Sequence, residues 1–404
     1  MISSGVDPGA AASSVKAGIE GWPGVRTLRS ARFRLVLGVS LWMIGVTILG
    51  SLMISQARNP MGGFGIDFAD YRTASLRMID GQSPYAPEML SGPVAAQGID
   101  RYRYPPPFAQ LLTPLAILPF ELGAVLWLAG QALLLFGAVW LAALAAGARP
   151  SIERFVWTGV ALTYFLPVFD ALFKGNVNGL MALSIAVLLA ARPGGGGRPL
   201  ASAATAGGAL GAAAALKLAP IAILPAAIRG DRRLAAWTVA GLGALVLASL
   251  ALAPQAWRDY ATVLPNLLAG SAGYANNLAP SVVALGQGAS PLVGELLRAG
   301  AVAMALALVA TSVWSAGRSD GWPTAVACGV IAGLLVPAAI WYQSLTLLLP
   351  SAAFAWVKAT AFMRWGLVAA GAMISIALAW LPLVMIGVAL LAGSTLYTLW
   401  PRER

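Results

Sequence analysis

The amino-acid sequence predicts an all-helical protein that crosses a membrane about twelve times, within a range of about ten to thirteen spans. Of its 404 residues, 59% are hydrophobic and 10% are charged, whereas soluble domains carry about 25% charged residues. Apolar stretches close to the roughly 20 residues that a spanning helix needs recur along the chain, separated by short polar breaks. The Ala, Leu and Val runs lack the alternation of membrane β-strands, so we do not expect a β-barrel.

Charge and composition exclude several classes of function. The net charge of +11 comes from basic residues in short clusters between apolar runs, a pattern that sets membrane orientation and does not predict a nucleic-acid partner. The chain has one cysteine, Cys328, and no histidine. We therefore expect no disulfide framework, no transition-metal site and no cofactor. Asp67 and Asp70, in one loop, could bind a divalent cation through oxygen, but no metal site is predicted.

The chain divides into a membrane domain with a short tail at each end. Residues 1–32 are basic and rich in Gly, Ala and Ser, which predicts a disordered cytoplasmic tail. Residues 33–55 predict the first span, and because this run is longer than the apolar core of a signal peptide, about 7–15 residues, it is expected to remain as an anchor. Residues 33–400 form the predicted membrane domain, and residues 401–404 form a second cytoplasmic tail.

The basic breaks predict how the chain is oriented. The positive-inside rule places them in the cytoplasm, together with both termini of a multi-pass protein of the plasma or inner membrane. Residues 56–106 and 254–291 then lie outside. A full span at residues 105–120 would put Arg149 and Arg154 on the wrong side, so this proline-containing stretch is expected to be re-entrant or interfacial. The basic breaks are Arg149/Arg154, Arg192/Arg198, Arg229/Arg232/Arg233, Arg318, Lys358/Arg364 and Arg402/Arg404.

A second irregular stretch occurs at residues 201–227, where Lys217 and Pro220 interrupt an apolar run. We expect two short helices that meet near Lys217 at the outer side. A lysine within an apolar stretch costs about 2.5 to 3.5 kcal/mol at a helix centre, which favours a functional role. Snorkelling of the lysine to the headgroups is the alternative.

The loop at residues 56–106 is the longest polar stretch after the basic tail, and it contains Asp67 and Asp70. Residues 68–79 have the apolar spacing of a short amphipathic helix lying in the membrane interface. Asp67 would stand at or near its N-terminus. Two interpretations are open and compatible: Asp67 caps the helix, or its carboxylate is a general base near the lipid surface.

Several short motifs occur in order along the chain, and each alone is weak. They are Asp67-x-x-x-Tyr71, Gly81-x-x-Pro84-Tyr85, Tyr104-Pro105-Pro106-Pro107, Pro114-Leu115-x-x-Leu118-Pro119, Gly175-Asn176-Val177-Asn178, Lys217-Leu218-x-Pro220 and Asn276-Asn277. Taken together, these motifs resemble glycosyltransferase family 87, whose members are membrane enzymes of the GT-C type. The resemblance spans roughly residues 33–350.

The resemblance implies a GT-C bundle with short interfacial helices in its outer loop. It also implies transfer of mannose, another hexose or arabinofuranose from a polyprenyl phosphate donor to an envelope glycolipid or glycan on the outer face, with Asp67 as the catalytic base. Because a lipid monophosphate leaves as a dianion, cations must lie near it, and the candidates are Lys217, Lys174, Arg101 and Arg103. For Lys174, the helical spacing from Asp170 favours a structural ion pair. The predicted substrate-binding residues are Tyr71, Arg101, Arg103, Tyr104, Asn176, Asn178, Lys217, Asn276, Asn277, Tyr342 and Gln343.

The sequence departs from the family pattern after Trp341-Tyr342. Members usually have one or two histidines there, which would help to hold the donor phosphate, and this chain has Gln343 and Ser344. Gln343 can donate a hydrogen bond but carries no charge. Two alternatives therefore stand beside the enzyme: a transporter or lipid flippase, suggested by the span count and by Asp170 and Lys174, and an inactive relative that serves as a scaffold.

Overall fold

The computed structural model describes residues 30–58, 63–94, 102–192, 199–270, 277–337, 340–376 and 380–401. These residues form eighteen α-helices and two 3-10 helices. The first nine α-helices are α1 (Ala31–Ala57), α2 (Ile66–Ile79), α3 (Pro87–Ser91), α4 (Pro106–Ala116), α5 (Phe120–Ala145), α6 (Ile152–Tyr164), α7 (Leu166–Lys174), α8 (Asn178–Ala191) and α9 (Ala203–Leu216). The others are α10 (Leu224–Gly230), α11 (Arg232–Leu252), α12 (Pro254–Gly270), α13 (Pro280–Gly286), α14 (Pro291–Ala316), α15 (Trp322–Leu335), α16 (Leu349–Lys358), α17 (Ala361–Ile376) and α18 (Leu381–Leu399), with 3-10 helices at Ala219–Ile223 and Tyr342–Leu348.

Five of the helices are long and apolar enough to cross a membrane: α1, α5, α11, α14 and α18. The pair α6 and α7 passes the same test together but bends by 72° at its break. Several further apolar helices, such as α8 and α9 with 14 residues each, span roughly 21 Å and are shorter than the hydrocarbon core of about 30 Å. The predicted helical membrane class is confirmed, and the count of about twelve spans stays a prediction.

The basic breaks gather at one end of the bundle, which we call the basic end. Arg192, just after α8, donates to the backbone oxygen of Gly230 and lies 5.3 Å from the ring centroid of Trp322. Trp314, near the end of α14, packs against Trp400 after α18 with ring centroids 5.3 Å apart. Breaks that are far apart in sequence therefore share one end.

The loop between α5 and α6 lies at the basic end as well. Two contacts fix the relative direction of α5 and α8: Trp127 Nε1 donates to the oxygen of Gly175, just before α8, at 2.7 Å, and four residues further along both segments the backbone N–H of Gly179 donates to Gln131 Oε1 at 2.9 Å. The two helices therefore run in the same direction, and their last residues reach the same end. At this end Arg34 of α1 forms an ion pair with Glu153 of α6 at 2.6 Å.

The opposite end, which we call the site end, is built around α2. The backbone N–H of Gly65 donates to Phe173 O at 2.8 Å, which fixes the start of α2 against α7. A helix is present at the predicted position as α2, with Phe68, Tyr71 and Ala74 buried, and its location in the membrane interface stays a prediction. Ile79, which was expected on the same face, is 50% exposed.

Helix α4 lies beside α2 and does not leave the site end. Ser75 of α2 donates to Ala109 O at 2.7 Å, and Arg72 donates to Leu118 O at 3.2 Å. Both halves of the 105–120 stretch therefore contact the same short helix. With 11 residues, α4 is roughly 16 Å long and too short to cross a bilayer, in agreement with the prediction that this stretch does not span.

The break predicted near Lys217 is present. Helix α9 ends at Leu216, Lys217 has an extended backbone, and a 3-10 helix follows at Ala219–Ile223. Helix α9 packs closely on α11 because Gly207 and Gly211 have no side chain: a Cβ on either would collide with backbone atoms of α11. Such closely packed glycines four positions apart are typical of membrane helix pairs.

Candidate active site

Asp67 is the second residue of α2 and does not occupy the capping position. The N-cap is Gly65, in a left-handed conformation with φ of +67°. The Asp67 side chain points to another element, where its Oδ2 accepts a hydrogen bond from Asn176 Nδ2 at 2.6 Å. The capping interpretation is therefore wrong, because the Asp67 side chain does not cap α2. The general base stays a prediction, and the position of Asp67 in the first turn favours negative charge.

Asn176 reaches Asp67 because α7 ends in a tight glycine turn. Gly175 has φ of +73°, and its carbonyl oxygen accepts from Trp127 Nε1 at 2.7 Å. A Cβ on Gly175 would lie 2.9 Å from the Cβ of Phe68, closer than side chains tolerate. The absence of a side chain at position 175 thus lets the turn approach α2.

The carboxyl of Asp67 experiences opposing influences. Burial raises its pKa above the ordinary aspartate value, and the hydrogen bond from Asn176 and the charges of Lys174, Arg103 and Lys217 counteract this rise. Asp67 is half-buried, so it is open on one side. A carboxylate with a raised pKa near water has the properties that a general base requires.

Two tyrosines stand beside this carboxylate. Tyr71, one turn after Asp67, donates through its hydroxyl to the Tyr104 hydroxyl at 3.1 Å, and their rings meet edge to face with centroids 5.2 Å apart. Burial raises the pKa of both hydroxyls. They therefore stay protonated at neutral pH, as hydrogen-bonding groups and not as bases.

Lys217 reaches the same region from the helix break. Its Nζ donates to Asn178 Oδ1 at 2.9 Å and lies 5.8 Å from the ring centroid of Tyr104. Asn178 is fully buried, and its Nδ2 donates to the backbone oxygen of Gln343 at 2.8 Å. Both polar atoms of the Asn178 side chain are thus used within the protein, linking α8 to Lys217 and to the 3-10 helix at Tyr342–Leu348.

Lys174 lies between two elements. Its Nζ is 2.9 Å from Asp170 Oδ2, one turn earlier in α7, and donates to Gln343 Oε1 at 3.4 Å. The expected ion pair with Asp170 is therefore present. The contact with Gln343 was not predicted from the sequence. Lys174 also acts electrostatically on the carboxyl of Asp67, so it belongs to the cluster around that residue.

A further cation, Arg103, lies beside the ring of Trp341. The guanidinium carbon of Arg103 lies 5.3 Å from the ring centroid of Trp341, within the range of a cation–π interaction. Trp341 pairs with Asn277 in an isolated antiparallel bridge, and Asn277 Oδ1 accepts from the backbone N–H groups of Ala279 and Ile340 at 2.9 Å each. The side-chain oxygen of Asn277 is thus bound by the loops that it joins.

The remaining predicted residues are placed differently. Tyr342 is buried and its hydroxyl donates to Ile374 O at 2.9 Å, so it packs into the bundle next to the cluster. Arg101 and Asn276 lie outside the described residues. Two neighbours of the cluster were not selected from the sequence, Trp127 and Trp341. Trp341 directly precedes the predicted site residue Tyr342, which was an available signal, whereas Trp127 is 48 positions from its partner Gly175 and had none. In the part of the chain that the structure describes, no three His, Cys, Asp or Glu residues group as metal ligands would.

One polar atom near Asp67 has no partner among the described residues. Asn176 is 4% exposed, and its Oδ1 makes no hydrogen bond while its Nδ2 is used by Asp67. A buried amide oxygen without a partner is uncommon in folded proteins. It offers an acceptor next to the candidate base.

The fold and the site define a helical protein with helices long enough to span a membrane and with a carboxylate and several cations at one end. The family model described as Glycosyltransferase family 87 matches residues 102–337, more than half of the chain. The chain therefore belongs to glycosyltransferase family 87, as its motifs predicted. No curated protein and no solved structure gives a significant match.

The matched region includes Tyr104, Asn176 and Lys217. It begins after Asp67 and ends before Gln343, whereas the resemblance was expected to extend from about residue 33 to about residue 350. The family match therefore does not include Asp67, whose proposed role is supported by its geometry.

Proposed function

We propose that the protein transfers a sugar from a polyprenyl phosphate to a hydroxyl group of an envelope glycolipid or glycan, with Asp67 as the general base. The observation that carries the proposal is the position of Asp67. Its half-buried carboxylate accepts from Asn176 at 2.6 Å and interacts electrostatically with Lys174, Arg103 and Lys217. The reaction needs a base to take the proton of the acceptor hydroxyl and cations to stabilise the leaving phosphate, and a carboxylate beside several cations provides both.

The proposed step uses these groups in turn. Ionised Asp67 accepts the proton of the acceptor hydroxyl as the hydroxyl oxygen bonds to the anomeric carbon of the donor sugar. The bond from this carbon to the phosphate oxygen breaks, and the electron pair leaves with the lipid phosphate. Nearby cations stabilise the charge that develops on the leaving group. Asn176 Oδ1 is positioned to accept from a sugar or acceptor hydroxyl beside the base.

The distribution of charge supports an outer-face reaction. The basic breaks share one end of the bundle, and the Asp67 cluster is at the other. The positive-inside rule assigns the basic end to the cytoplasm, which directs Asp67 outward. The donor would be a polyprenyl phosphate carrying mannose, another hexose or arabinofuranose, consistent with an enzyme that works without a nucleotide sugar outside the cell.

The transporter alternative receives less support from the same contacts. A flippase or transporter would have polar residues along a path through the bilayer. Here Asp170 and Lys174 join the cluster at the site end through Gln343. The inactive-scaffold alternative is weakened by the retention of a carboxylate and three cations around it.

The substitution Asp67→Asn tests the base directly. We expect the rate of transfer from radiolabelled polyprenyl phosphate sugars, measured in membranes, to fall by about a hundredfold or more, because general base catalysis contributes about 10² to 10⁴. Asp80→Asn is the matched control: Asp80 is the exposed C-cap of the same helix, and its removal should leave the rate unchanged.

The assay separates the three functions. Transfer by Asp67→Asn at the wild-type rate would contradict the proposed base. Movement of lipid-linked sugar across liposomes containing the purified wild-type protein, without formation of a glycosidic bond, would establish the flippase. Absence of both activities with mannosyl, glucosyl and arabinofuranosyl donors would favour the scaffold.

A further inference from the structure

Two cations contact alternate residues of one short segment, residues 341–343. Arg103 lies over the ring of Trp341 at 5.3 Å, and Lys174 donates to the side chain of Gln343 at 3.4 Å. Arg103 lies just before α4 and Lys174 is the last residue of α7, so the two basic residues are 71 positions apart in sequence. Both charges also act electrostatically on the carboxylate of Asp67, so both lie near it.

Lys174 is held on two sides and is still accessible. Asp170 and Gln343 contact its ammonium group, and the side chain is 19% exposed. An ammonium group has three donors, so these two contacts leave one donor for a ligand. Gln343 is 5% exposed, and its amide oxygen can fix the direction of the lysine without neutralising its charge.

Lys217 is engaged in a different way. Its ammonium group is bound to the buried amide of Asn178 and faces the ring of Tyr104. These contacts connect α8, the helix break and the 3-10 helix at Tyr342–Leu348. Of the cations around Asp67, Lys174 and Arg103 are also the two that most strongly favour its ionised form after the hydrogen bond from Asn176.

A phosphate monoester carries close to two negative charges at neutral pH, since its second pKa is about 6. Binding such a dianion in a partly dehydrated site requires more than one cation nearby. The chain supplies two at the segment 341–343, adjacent to the carboxylate that would take the acceptor proton.

We propose that Lys174 and Arg103 together bind the departing lipid phosphate, and that Gln343 is a positioning residue that holds Lys174 in place for it. This inference rests on the proposed glycosyl transfer and names the phosphate site within it. An uncharged residue at position 343 is then compatible with activity, because the neighbouring lysine carries the charge.

The first experiment measures binding and not turnover. The probe is farnesyl monophosphate, with farnesol as the uncharged reference, titrated calorimetrically into the purified full-length protein in detergent. We expect Lys174→Met and Arg103→Gln each to weaken binding of the phosphate by about tenfold to a hundredfold, the loss expected for one charge-assisted hydrogen bond. Farnesol binding should not change, and Lys174→Arg should restore much of the lost affinity.

Matched controls come from the basic end. Lys358 is an exposed lysine at the end of α16, and Arg364 lies 5.7 Å from the ring centroid of Trp356, a contact of the same kind as that of Arg103 with Trp341. Lys358→Met and Arg364→Gln should bind farnesyl monophosphate as the wild type does. Thermal unfolding of each variant verifies that it is folded.

The second experiment tests the positioning role of Gln343. Gln343→Leu should weaken phosphate binding less than Lys174→Met does. In the Lys174→Met background, Gln343→His should restore affinity below about pH 6.5, where an imidazole is protonated, and not at about pH 8. Comparing the single and double variants at each pH cancels the titration of the probe itself.

The results distinguish this inference from the proposed function. If Lys174→Met and Arg103→Gln bind farnesyl monophosphate with wild-type affinity while Asp67→Asn abolishes transfer, the phosphate site lies elsewhere and the enzyme assignment stands. If both variants lose binding and Asp67→Asn retains transfer, the phosphate site stands and the role of Asp67 falls. If Gln343→Leu weakens binding as much in the Lys174→Met background as in the wild type, Gln343 does not act through Lys174 and its positioning role falls. Loss of the pH-dependent rescue in a folded double variant would show that residue 343 does not lie beside the bound phosphate.

Discussion

Asp67 occupies an environment in which burial favours its neutral form and neighbouring groups favour its charged form. The carboxylate accepts from Asn176 and is surrounded by Lys174, Arg103 and Lys217. Burial is the largest of these influences, so the pKa lies above the ordinary aspartate value. Such a base takes up a proton more readily than an exposed aspartate and is still ionised when the pH is high enough.

This environment predicts the pH dependence of the reaction. We expect kcat/KM to fall as the pH decreases through the pKa of Asp67, and the midpoint to lie above the ordinary value of about 3.9, because the base must be ionised. Asn176→Leu should move the midpoint to still higher pH, since the hydrogen bond it removes stabilises the ionised form. The measurement is the pH profile of transfer, and a midpoint at or below 3.9 would contradict the assignment.

At the same scale, the sequence indicated Asp67, Tyr104, Asn176 and Lys217 as site residues, and the structure brings them together. The sequence could not indicate how Lys174 would act. Spacing along α7 revealed the pair with Asp170, but the partner Gln343 is 169 positions away. Only local pairs follow from helical spacing.

The glycine turn between α7 and α8 determines how closely the candidate base and its partner approach. Gly175 has a left-handed backbone and no room for a Cβ beside Phe68. It ends α7 and immediately precedes Asn176. The position of one short helix relative to another therefore depends on a single missing side chain.

Gly175→Ala tests this dependence, with Gly81→Ala as its control. Both glycines have positive φ, +73° and +72°, but nothing lies within 4 Å of a Cβ on Gly81. Each variant should lose about 1 kcal/mol through backbone strain. We expect Gly175→Ala alone to reduce kcat, by about tenfold to a hundredfold, because it displaces Asp67 from Asn176.

Chemical denaturation measures the stability that each variant loses through backbone strain, and initial rates measure the effect of displacing Asp67 from Asn176. Equal rates for the two variants would mean that the contact with Phe68 has no role in positioning the base. The two variants can be compared directly because Gly175 and Gly81 both follow the end of a helix at the site end.

At the level of whole elements, the helix α2 and the break at Lys217 were predicted correctly. The proline-containing stretch at 105–120 was predicted not to span, and its contacts with α2 at both ends agree with this. Charge and proline are strong local signals in an apolar chain, because each disrupts a membrane helix at the position where it occurs.

Across the whole molecule, the polar residues around Asp67 and the basic breaks lie at opposite ends of the bundle. Helices α5 and α8 run in the same direction away from the cluster, and the residues that follow them carry the basic breaks. The positive-inside rule would place the basic end in the cytoplasm and the Asp67 cluster outside, and this orientation stays a prediction.

Labelling with a membrane-impermeant maleimide tests the assignment. Asp80→Cys places a thiol at the exposed end of α2 and Lys358→Cys places one at the exposed end of α16. We expect Asp80→Cys to react in intact cells and Lys358→Cys to react only after permeabilisation. The native Cys328 is buried, so the unmodified protein provides the background, and the reverse labelling pattern would invert the topology.

The sequence by itself determined the class of this protein, its family and the places where its helices are interrupted, because apolar length, charge and proline act locally along the chain. Tertiary structure decided which interruptions meet. Helices that are apolar on every side carry no periodic signal for the face that packs inward. The encounter of Asp67 with Asn176, 109 positions away, and of Lys174 with Gln343 therefore emerged only when the helices were packed together.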